Sequence, residues 1–231
     1  MTASATAELI ENPEFALALS YVPPAAQSGV AALFALDGKL AEVVRTTTEP
    51  ALGQMRLLWW RDTVLDLKSG RVAAVPAVEN IHRYALPQGA DVQTDLVAGI
   101  ADGWSVLIEE ETLGRDALMR FARLRGGNLF GSAAALCSVE DDGRLRKCGQ
   151  GWALVDLARH SRSSALADAC LEIARPLLRY GLRGRLPRAA RGLGALAHLA
   201  ERDSRRPPSD PVQVGAPGRV GRMLWHRLTG M

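Results

Sequence analysis

The chain has 231 residues, of which 48% are hydrophobic, 23% charged and only 5% aromatic, and its formal net charge is +3. Leu, Ala and Arg are frequent while aromatic and β-branched residues are few, a composition that favours helices and argues against an all-β fold. The three cysteines (Cys137, Cys148 and Cys170) form no CxxC pair and are odd in number, which argues against a disulfide scaffold.

The charge is unevenly distributed along the chain. Residues 171–231 contain 12 basic and 4 acidic side chains, so this segment carries +8 whereas the rest carries −5. One interpretation is a set of solvated helix faces in an arginine-rich composition, and the other is a surface that binds anionic lipid or diphosphate. Aromatic residues do not alternate with these arginines, so nucleic acid is not an expected partner.

The N-terminal residues show neither a basic cluster nor a following apolar run, and no apolar stretch approaches the ~20 residues needed to cross a bilayer. We therefore expect a cytoplasmic protein, with peripheral contact to the inner membrane as the alternative.

Apolar side chains recur every three or four residues, and proline, glycine and serine interrupt the pattern, which predicts a series of helices. These helices are predicted at 13–20, 25–46, 51–68, 75–82, 91–109, 116–137 (bending at Gly126-Gly127), 145–160, 164–180, 187–202 and 220–228. The organisation predicted is an N-terminal arm (1–18), a helical domain (19–203), a Pro/Arg-rich loop (204–219) and a short C-terminal helix (220–231). No alternating strand pattern competes, so we expect a single-domain all-α protein. The leucines expected in its core are Leu33, Leu36, Leu40, Leu58 and Leu129.

The most distinctive segment is residues 51–62, which contains the adjacent tryptophans Trp59 and Trp60. Adjacent helix positions point about 100° apart, so one ring can be buried while the other lines a boundary or a cavity. Arg56 and Trp60 share a helix face, where they can form a cation–π pair or flank an anion. The competing interpretation is core packing combined with salt bridges.

Carboxylates on one face of a helix can bind magnesium diphosphate, and Asp91, Asp95 and Asp102 share such a face. A solvated helix face explains the same pattern. Asp37 and Glu42 lie about 140° apart around their helix, so they cannot chelate one ion by themselves.

Residues 32–43 read ALFALDGKLAEV and residues 49–62 read EPALGQMRLLWWRD. This order of a small-residue and aromatic helix, a Glu-Pro break, an arginine and paired tryptophans resembles the N-terminal signature of the squalene/phytoene synthase family. Residues 126–130 (GGNLF) resemble the family's mid-chain glycine helix, and residues 151–154 (GWAL) resemble the start of a later one. The resemblance extends over residues 19–231 and implies an isoprenoid (terpenoid) synthase-like helical bundle.

The resemblance also shows where this chain departs from the family's enzymes, which bind prenyl diphosphates through magnesium held by two aspartate-rich motifs. Where the first motif should read Asp-Asp-x-x-Asp, residues 41–45 read AEVVR. Where the second should follow, residues 157–164 read LARHSRSS. Glu42 and Asp156 are too few for a multi-magnesium cluster. The chain is thus similar to a divergent branch of the family that lacks intact motifs and includes a mitochondrial complex I assembly factor.

Three functions remain open at this stage. The first is a catalytically degenerate family member that binds a prenyl or lipid-like ligand or a protein partner, with a role in assembling a membrane complex. The second is a head-to-head prenyl transferase with atypical metal ligands, and the third is an unrelated helical interaction module.

Each function implies its own site residues. An active transferase would use Asp37, Glu42 and Asp156 with magnesium, whereas a degenerate member needs no cofactor and no metal. The predicted ligand-binding side chains are Arg45, Arg56, Trp60, Asn128 and Arg159.

Arg45 and Arg159 are expected to replace the magnesium sites with an anion site. The alternative is that these side chains pair with one another or with Glu42 and seal the pocket. Weak, salt-sensitive contact with anionic membranes is expected from Arg202, Arg205, Arg206, Arg219, Arg222 and Arg227.

Overall fold

The structure, a computed structural model, describes residues 12–86, 91–110, 112–140 and 142–231, and within them all regular structure is helical. The helices are α1 (Pro13–Leu19), α2 (Pro24–Thr46), α3 (Pro50–Leu65), α4 (Pro76–Asn80), α5 (Asp91–Glu109), α6 (Arg115–Phe121), α7 (Asn128–Leu136), α8 (Arg144–His160), α9 (Ser164–Gly181), α10 (Arg191–Ser204) and α11 (Pro217–Thr229). The predicted all-α fold is confirmed. Most of the predicted N-terminal arm, residues 1–11, lies outside the described residues.

Helix starts follow the local sequence. Proline occupies the first turn of α1, α2, α3, α4 and α11, where its missing N–H costs nothing. The side chain of Asn12 caps α1 by accepting from the backbone N–H groups of Glu14 (3.0 Å) and Phe15 (3.2 Å).

The core forms around α2, which packs against α3, α5 and α7. Leu33, Leu36 and Leu40 on this helix are at most 1% exposed, and Leu129 on α7 is fully buried, as predicted. The prediction for Leu58 is wrong, because its side chain is 52% exposed.

The reason for the exposure of Leu58 lies in how α3 packs. This helix contacts α5 through Gly53, Leu57 and Val64, which are buried. Since Leu58 lies about 100° around the helix from Leu57, its side chain faces outward.

The predicted continuous helix 116–137 is divided in the structure. It consists of α6, a π-helical turn at Ala122–Gly127 and α7, so the predicted bend at Gly126-Gly127 coincides with the end of the π turn.

The C-terminal helix α11 begins at Pro217, three residues before the predicted start, and packs on α10. Arg219 fixes it to the domain: its guanidinium pairs with Glu14 on α1 (2.6 and 2.8 Å) and with Asp203 on α10. Arg219 is 5% exposed, which corrects its assignment to a membrane-facing set. None of the helices in the described part of the chain is both long and apolar enough to cross a membrane.

Candidate functional site

A buried ion-paired cluster lies where α2, α5, α8 and the π turn meet. Asp37, in the middle of α2, is 4% exposed, and Arg125, in the π turn, is 3% exposed. Arg125 donates to both oxygens of Asp37, from Nε to Oδ1 and from Nη2 to Oδ2, each at 2.9 Å. Its remaining terminal nitrogen, Nη1, donates to Oδ2 of Asp156 on α8 at 2.6 Å. One guanidinium thus joins the two carboxylates. We call Asp37, Arg125 and Asp156 the central triad.

Aromatic rings enclose the triad. The indole Nε1 of Trp104 donates to Oδ1 of Asp37 at 2.8 Å. The guanidinium carbon of Arg125 lies 4.1 Å from the ring centroid of Trp104 and 4.9 Å from that of Trp152. Such stacking on aromatic faces stabilises a desolvated guanidinium, and arginine suits it better than lysine.

Close helix crossings place Arg125. A Cβ on Gly126 would collide with the carbonyl of Gly149 on α8, and a Cβ on Gly149 would collide with the carbonyl of Gly126. A Cβ on Gly103 of α5 would likewise meet the backbone of Arg125. The absence of side chains at these three positions therefore lets the π turn pass close between α5 and α8, within reach of Asp37 and Asp156.

The electrostatics of the site favour the charged forms of Arg125 and Asp156. Burial alone would lower the pKa of Arg125, but Asp37 and Asp156 outweigh it and raise that pKa above the usual value. Burial alone would raise the pKa of Asp156, but Arg125 and His160 hold it well below its usual range. Hydrogen bonding to Asp156 raises the pKa of the largely exposed His160, whose Nδ1 lies 3.3 Å from Asp156 Oδ1. Asp156, which contacts both Arg125 and His160, thus lies at the end of the cluster that faces solvent.

A cavity of about 340 Å³ adjoins the solvent side of the triad, between α1, α2, α8 and α10. Its apolar walls include Phe15, Phe34, Trp152, Val155 and Leu199. Its polar lining comprises Asn12, Glu14, Asp156, Arg159, His160 and Asp203. This volume is at the lower end of the ~300–1,000 Å³ found for small-molecule sites.

Comparison with known proteins identifies the family and the fold of this chain. The family model for squalene/phytoene synthase matches residues 11–161, about two thirds of the chain. The chain belongs to the squalene/phytoene synthase family. A solved structure described as a dehydrosqualene synthase in complex with ligand covers 97% of this chain and 94% of its own, with a TM-score of 0.72 and 14% sequence identity. At that identity the likeness establishes the fold. A sequence search of curated proteins found no match.

With the family established, the departures from its aspartate motifs can be located in space. Glu42, the one acid of the first motif, is 51% exposed and pairs with Lys39 at 2.8 Å. Arg45 at the end of that motif is exposed. The positive charge of Arg45 acts to lower the pKa of both Glu42 and His160. The C-terminal end of α2, which carries the first motif, therefore lies near the end of α8, as the resemblance implies.

The two-arginine anion site predicted from the sequence is not formed. Arg159 donates its Nη atoms to the backbone carbonyls of Asp203 (2.6 Å), Pro207 (3.0 Å) and Asp210 (2.8 Å). The guanidinium therefore holds the loop after α10 against α8, while Arg45 remains exposed. The competing interpretation, in which Arg45 and Arg159 pair with one another or with Glu42 and seal the pocket, is not seen either, because Glu42 pairs with Lys39 and Arg159 binds backbone carbonyls. The buried ion pairs of this region are formed by Arg125.

The other predicted ligand residues lie apart from the triad and the cavity. Arg56 is exposed and donates to Thr47 Oγ1 at 2.8 Å, without the predicted stacking on Trp60. Trp60 packs against the core beside Trp59, with ring centroids 5.1 Å apart. Asn128 packs against Gly99 of α5. Their ligand-binding roles stay predictions.

The predicted acidic face of α5 is occupied by basic partners. Asp95 pairs with Lys68 at 2.6 Å and Asp102 with Arg61 at 3.1 Å. The side chain of Asp91 lies outside the described residues.

The buried aspartates on α2 and α8, the helices where the family resemblance places magnesium, do not fit a magnesium site. Both oxygens of Asp37 already accept hydrogen bonds from Arg125, and Asp156 is divided between Arg125 and His160. A hard divalent cation needs several free oxygen ligands and would lie next to a fixed positive charge. Across the described ranges, no three His, Cys, Asp or Glu side chains converge as a metal group does.

Arg125 is the functional-site residue that sequence reasoning missed. It lies in the stretch 116–137, immediately before Gly126-Gly127, and the same stretch contains Arg120 and Arg123. A buried arginine needs a carboxylate partner, but the sequence does not distinguish Arg125 from these two neighbours. The one available signal is its position next to the paired glycines, where helices can approach closely.

Proposed function

We propose that this family member does not carry out magnesium-dependent prenyl transfer and instead binds a lipid-like ligand in its helical bundle. The observation that carries the proposal is Arg125, which provides a permanent cation between the helices on which the family resemblance places magnesium.

Electrostatics support the non-catalytic part of the proposal. One guanidinium pairs with both aspartates of the central triad, which reduces their combined charge from −2 to −1 and engages the oxygens that a metal cluster would need. Placing Mg²⁺ a few ångströms from Arg125 in a desolvated site would add an unfavourable interaction of several kcal/mol. Without bound cations, a diphosphate leaving group would have no stabilisation of the kind that phosphoryl and diphosphate chemistry depends on.

The cavity beside the triad supports the ligand-binding part. Three aromatic rings (Phe15, Phe34 and Trp152) form an apolar wall, and polar side chains line other parts of the cavity, among them Asp156 and His160 next to the triad. The apolar wall suits a hydrocarbon chain, and the polar groups suit a head group. Hydrogen bonding to Asp156 raises the pKa of His160, so this ring is more easily protonated than a free imidazole, and in its protonated form it would suit an anionic head group.

A second proposal is that the chain acts through a protein partner in assembling a membrane complex. Its support is the outer surface of α3, where Leu52, Met55, Leu58 and Trp59 are 48–65% exposed. Contiguous exposed apolar side chains of this kind are typical of protein interaction sites.

Thermal denaturation with added ligands tests the first proposal. We expect prenyl alcohols and prenyl monophosphates to raise the melting temperature without magnesium, by roughly 5–10 °C at one hundred times Kd. Ala200→Leu, which places three extra carbon atoms in the cavity wall, should abolish the shift, whereas Ala51→Leu on the exposed part of α3 should leave it intact.

The alternative of an active transferase gives a different result. Incubation with prenyl diphosphates and magnesium would then yield a head-to-head product, and stabilisation would require both components together. Either finding would overturn the non-catalytic proposal, and no stabilisation by any prenyl compound would overturn the ligand-binding part.

A further inference from the structure

The outward face of the C-terminal helix α11 is apolar. Leu224 is 47% exposed, Trp225 55%, Leu228 77% and the following Met231 46%. We call these four residues the α11 face. On a helical projection the first three lie within an arc of about 100°, opposite the buried side chains of Arg219, Met223 and His226. One face of the helix thus packs on α10, and the opposite face presents large apolar side chains to solvent.

Arginines border the α11 face. Arg227 lies at its edge, with its guanidinium carbon 5.2 Å from the ring centroid of Tyr21. Arg185 and Arg188 lie on either side of Leu186, whose backbone N–H donates to the carbonyl of Gly230 at 2.9 Å. That bond holds both arginines next to the C-terminal end of α11.

Two of these arginines line one pocket. A pocket of about 390 Å³ is bounded by Arg188, Arg227, Tyr21 and the Pro23-Pro24 turn. Neither arginine forms an ion pair with a carboxylate anywhere in the described part of the chain. Two unneutralised guanidinium groups beside one concave space fit a phosphate, which each can contact with two parallel N–H groups.

The charge balance around this end of the molecule is one-sided. Residues 180–231 contain ten arginines and three carboxylates. All three carboxylates are already paired, Glu201 with Arg205, Asp203 with Arg219 and Asp210 with Arg206. The arginines at the α11 face therefore project positive potential without local compensation.

The exposed apolar surface of α3 provides an informative contrast. There the basic Arg61 pairs with Asp62 at 3.0 Å and with Asp102 at 3.1 Å. That surface combines apolar groups with balanced charge, whereas the α11 face combines apolar groups with excess positive charge.

We propose that the α11 face and the adjoining Arg188–Arg227 pocket form a docking surface for anionic phospholipid membranes. The pocket receives a lipid phosphate, and Leu224, Trp225 and Leu228 enter the boundary between head groups and acyl chains. Helices that lie in a membrane interface typically expose tryptophan and leucine on one face, with arginines along its border. The α11 face has this pattern. The proposal differs from the membrane contact expected from the sequence, because it excludes the buried Arg219 and adds Arg188 and the apolar face.

Vesicle co-sedimentation of the full chain tests the surface. We expect binding to vesicles of phosphatidylcholine with 30% phosphatidylglycerol at 50 mM salt, little binding to pure phosphatidylcholine, and release at 500 mM salt, where screening is strong. The double variant Arg188→Gln/Arg227→Gln should bind roughly 20-fold more weakly, since each arginine near an anionic surface contributes about fivefold. Trp225→Ser should also weaken binding and should abolish quenching of tryptophan fluorescence by lipids brominated near the head group.

Matched variants separate docking from misfolding and from other occupants. Met55→Ser removes an equally exposed apolar side chain from α3 and should bind like the wild type, and all variants should keep the wild-type melting temperature because the altered side chains are exposed or half-exposed. Equal binding by the double variant and the wild type would overturn the proposal. So would equal binding to neutral vesicles, or a concentration-dependent dimer in sedimentation velocity that Trp225→Ser abolishes, because a second copy of the chain would then cover the face.

Discussion

Replacing Arg125 with methionine removes the cation from the central triad while keeping a side chain of similar length. Asp37, only 4% exposed, would then be a buried carboxylate whose remaining donor is the indole of Trp104. Removing one partner of a buried ion pair costs about 3–5 kcal/mol, because the desolvated charge that remains is uncompensated. We therefore expect the free energy of unfolding to fall by about 4 kcal/mol, which for a chain of this size lowers the melting temperature by roughly 8–16 °C.

Urea unfolding followed by circular dichroism measures this loss. Arg123→Met, two residues away on the same π turn but exposed, is the matched control and should change stability by less than about 0.5 kcal/mol. Asp37→Asn/Arg125→Met should recover at least half of the loss, because removing both charges removes the penalty that each leaves alone. A loss below about 1 kcal/mol in Arg125→Met, or no recovery in the double variant, would refute the assignment of the triad as a tightly coupled buried ion pair.

Three further predictions concern metal, packing and pH. Magnesium should leave the melting temperature unchanged in a thermal scan, both alone and when added to protein already saturated with a prenyl diphosphate, since the carboxylates that line the cavity are paired with arginine. Gly149→Ala should lower the free energy of unfolding measured in urea by about 1–3 kcal/mol through collision with the carbonyl of Gly126, whereas Gly38→Ala, in open space on α2, should raise it by about 0.5–1 kcal/mol. Burial lowers the pKa of His198 to about 3 and of His226 to about 4, so protons bind the unfolded chain first and stability is lost as pH falls below about 6.5. Urea unfolding should thus show that the free energy of unfolding falls by about 4 kcal/mol between pH 7.5 and 5, and by half as much in His226→Phe. An unchanged pH dependence in that variant would contradict the lowered pKa of His226.

The helices could be predicted from the sequence because their ends are marked locally. Proline in the first turn, the Asn12 cap and the glycine-rich turns limit where each helix can begin or end, and three- to four-residue periodicity fills the intervals. The errors arise where the tertiary contacts decide. Periodicity predicts Leu58 in the core, yet the buried residues of α3 are Gly53, Leu57, Thr63 and Val64, and Leu58 lies outside that face. The π turn at 122–127 depends on the close approach of Gly126 to Gly149, which are 23 positions apart.

The candidate site was predictable in its acids and not in its base. Asp37 and Asp156 stand out in the sequence, one because it interrupts an apolar helix and the other because it is the acid nearest the altered second motif. Their connection through Arg125 spans 88 residues in one direction and 31 in the other. Since the chain offers 28 basic residues, spacing alone cannot select which of them is enclosed. Arg125 is distinguished by its burial, which depends on the close glycine contacts that position the π turn between α5 and α8.

Under the proposed function without magnesium, the triad also predicts that single substitutions would not create a metal site in this chain. In the arrangement that the family resemblance implies, bound cations neutralise the carboxylates; here a covalently attached cation does so. Removing Arg125 leaves Asp37 buried and unpaired at a cost of about 3–5 kcal/mol, a large part of the roughly 5–15 kcal/mol that stabilises a typical domain. Adding aspartates at 41 or 45 while Arg125 remains would leave both oxygens of Asp37 occupied by the guanidinium. Under the proposed function, each step toward a metal site is therefore unfavourable until the others are in place. The coupling that stabilises the bundle would then also oppose the acquisition of magnesium binding.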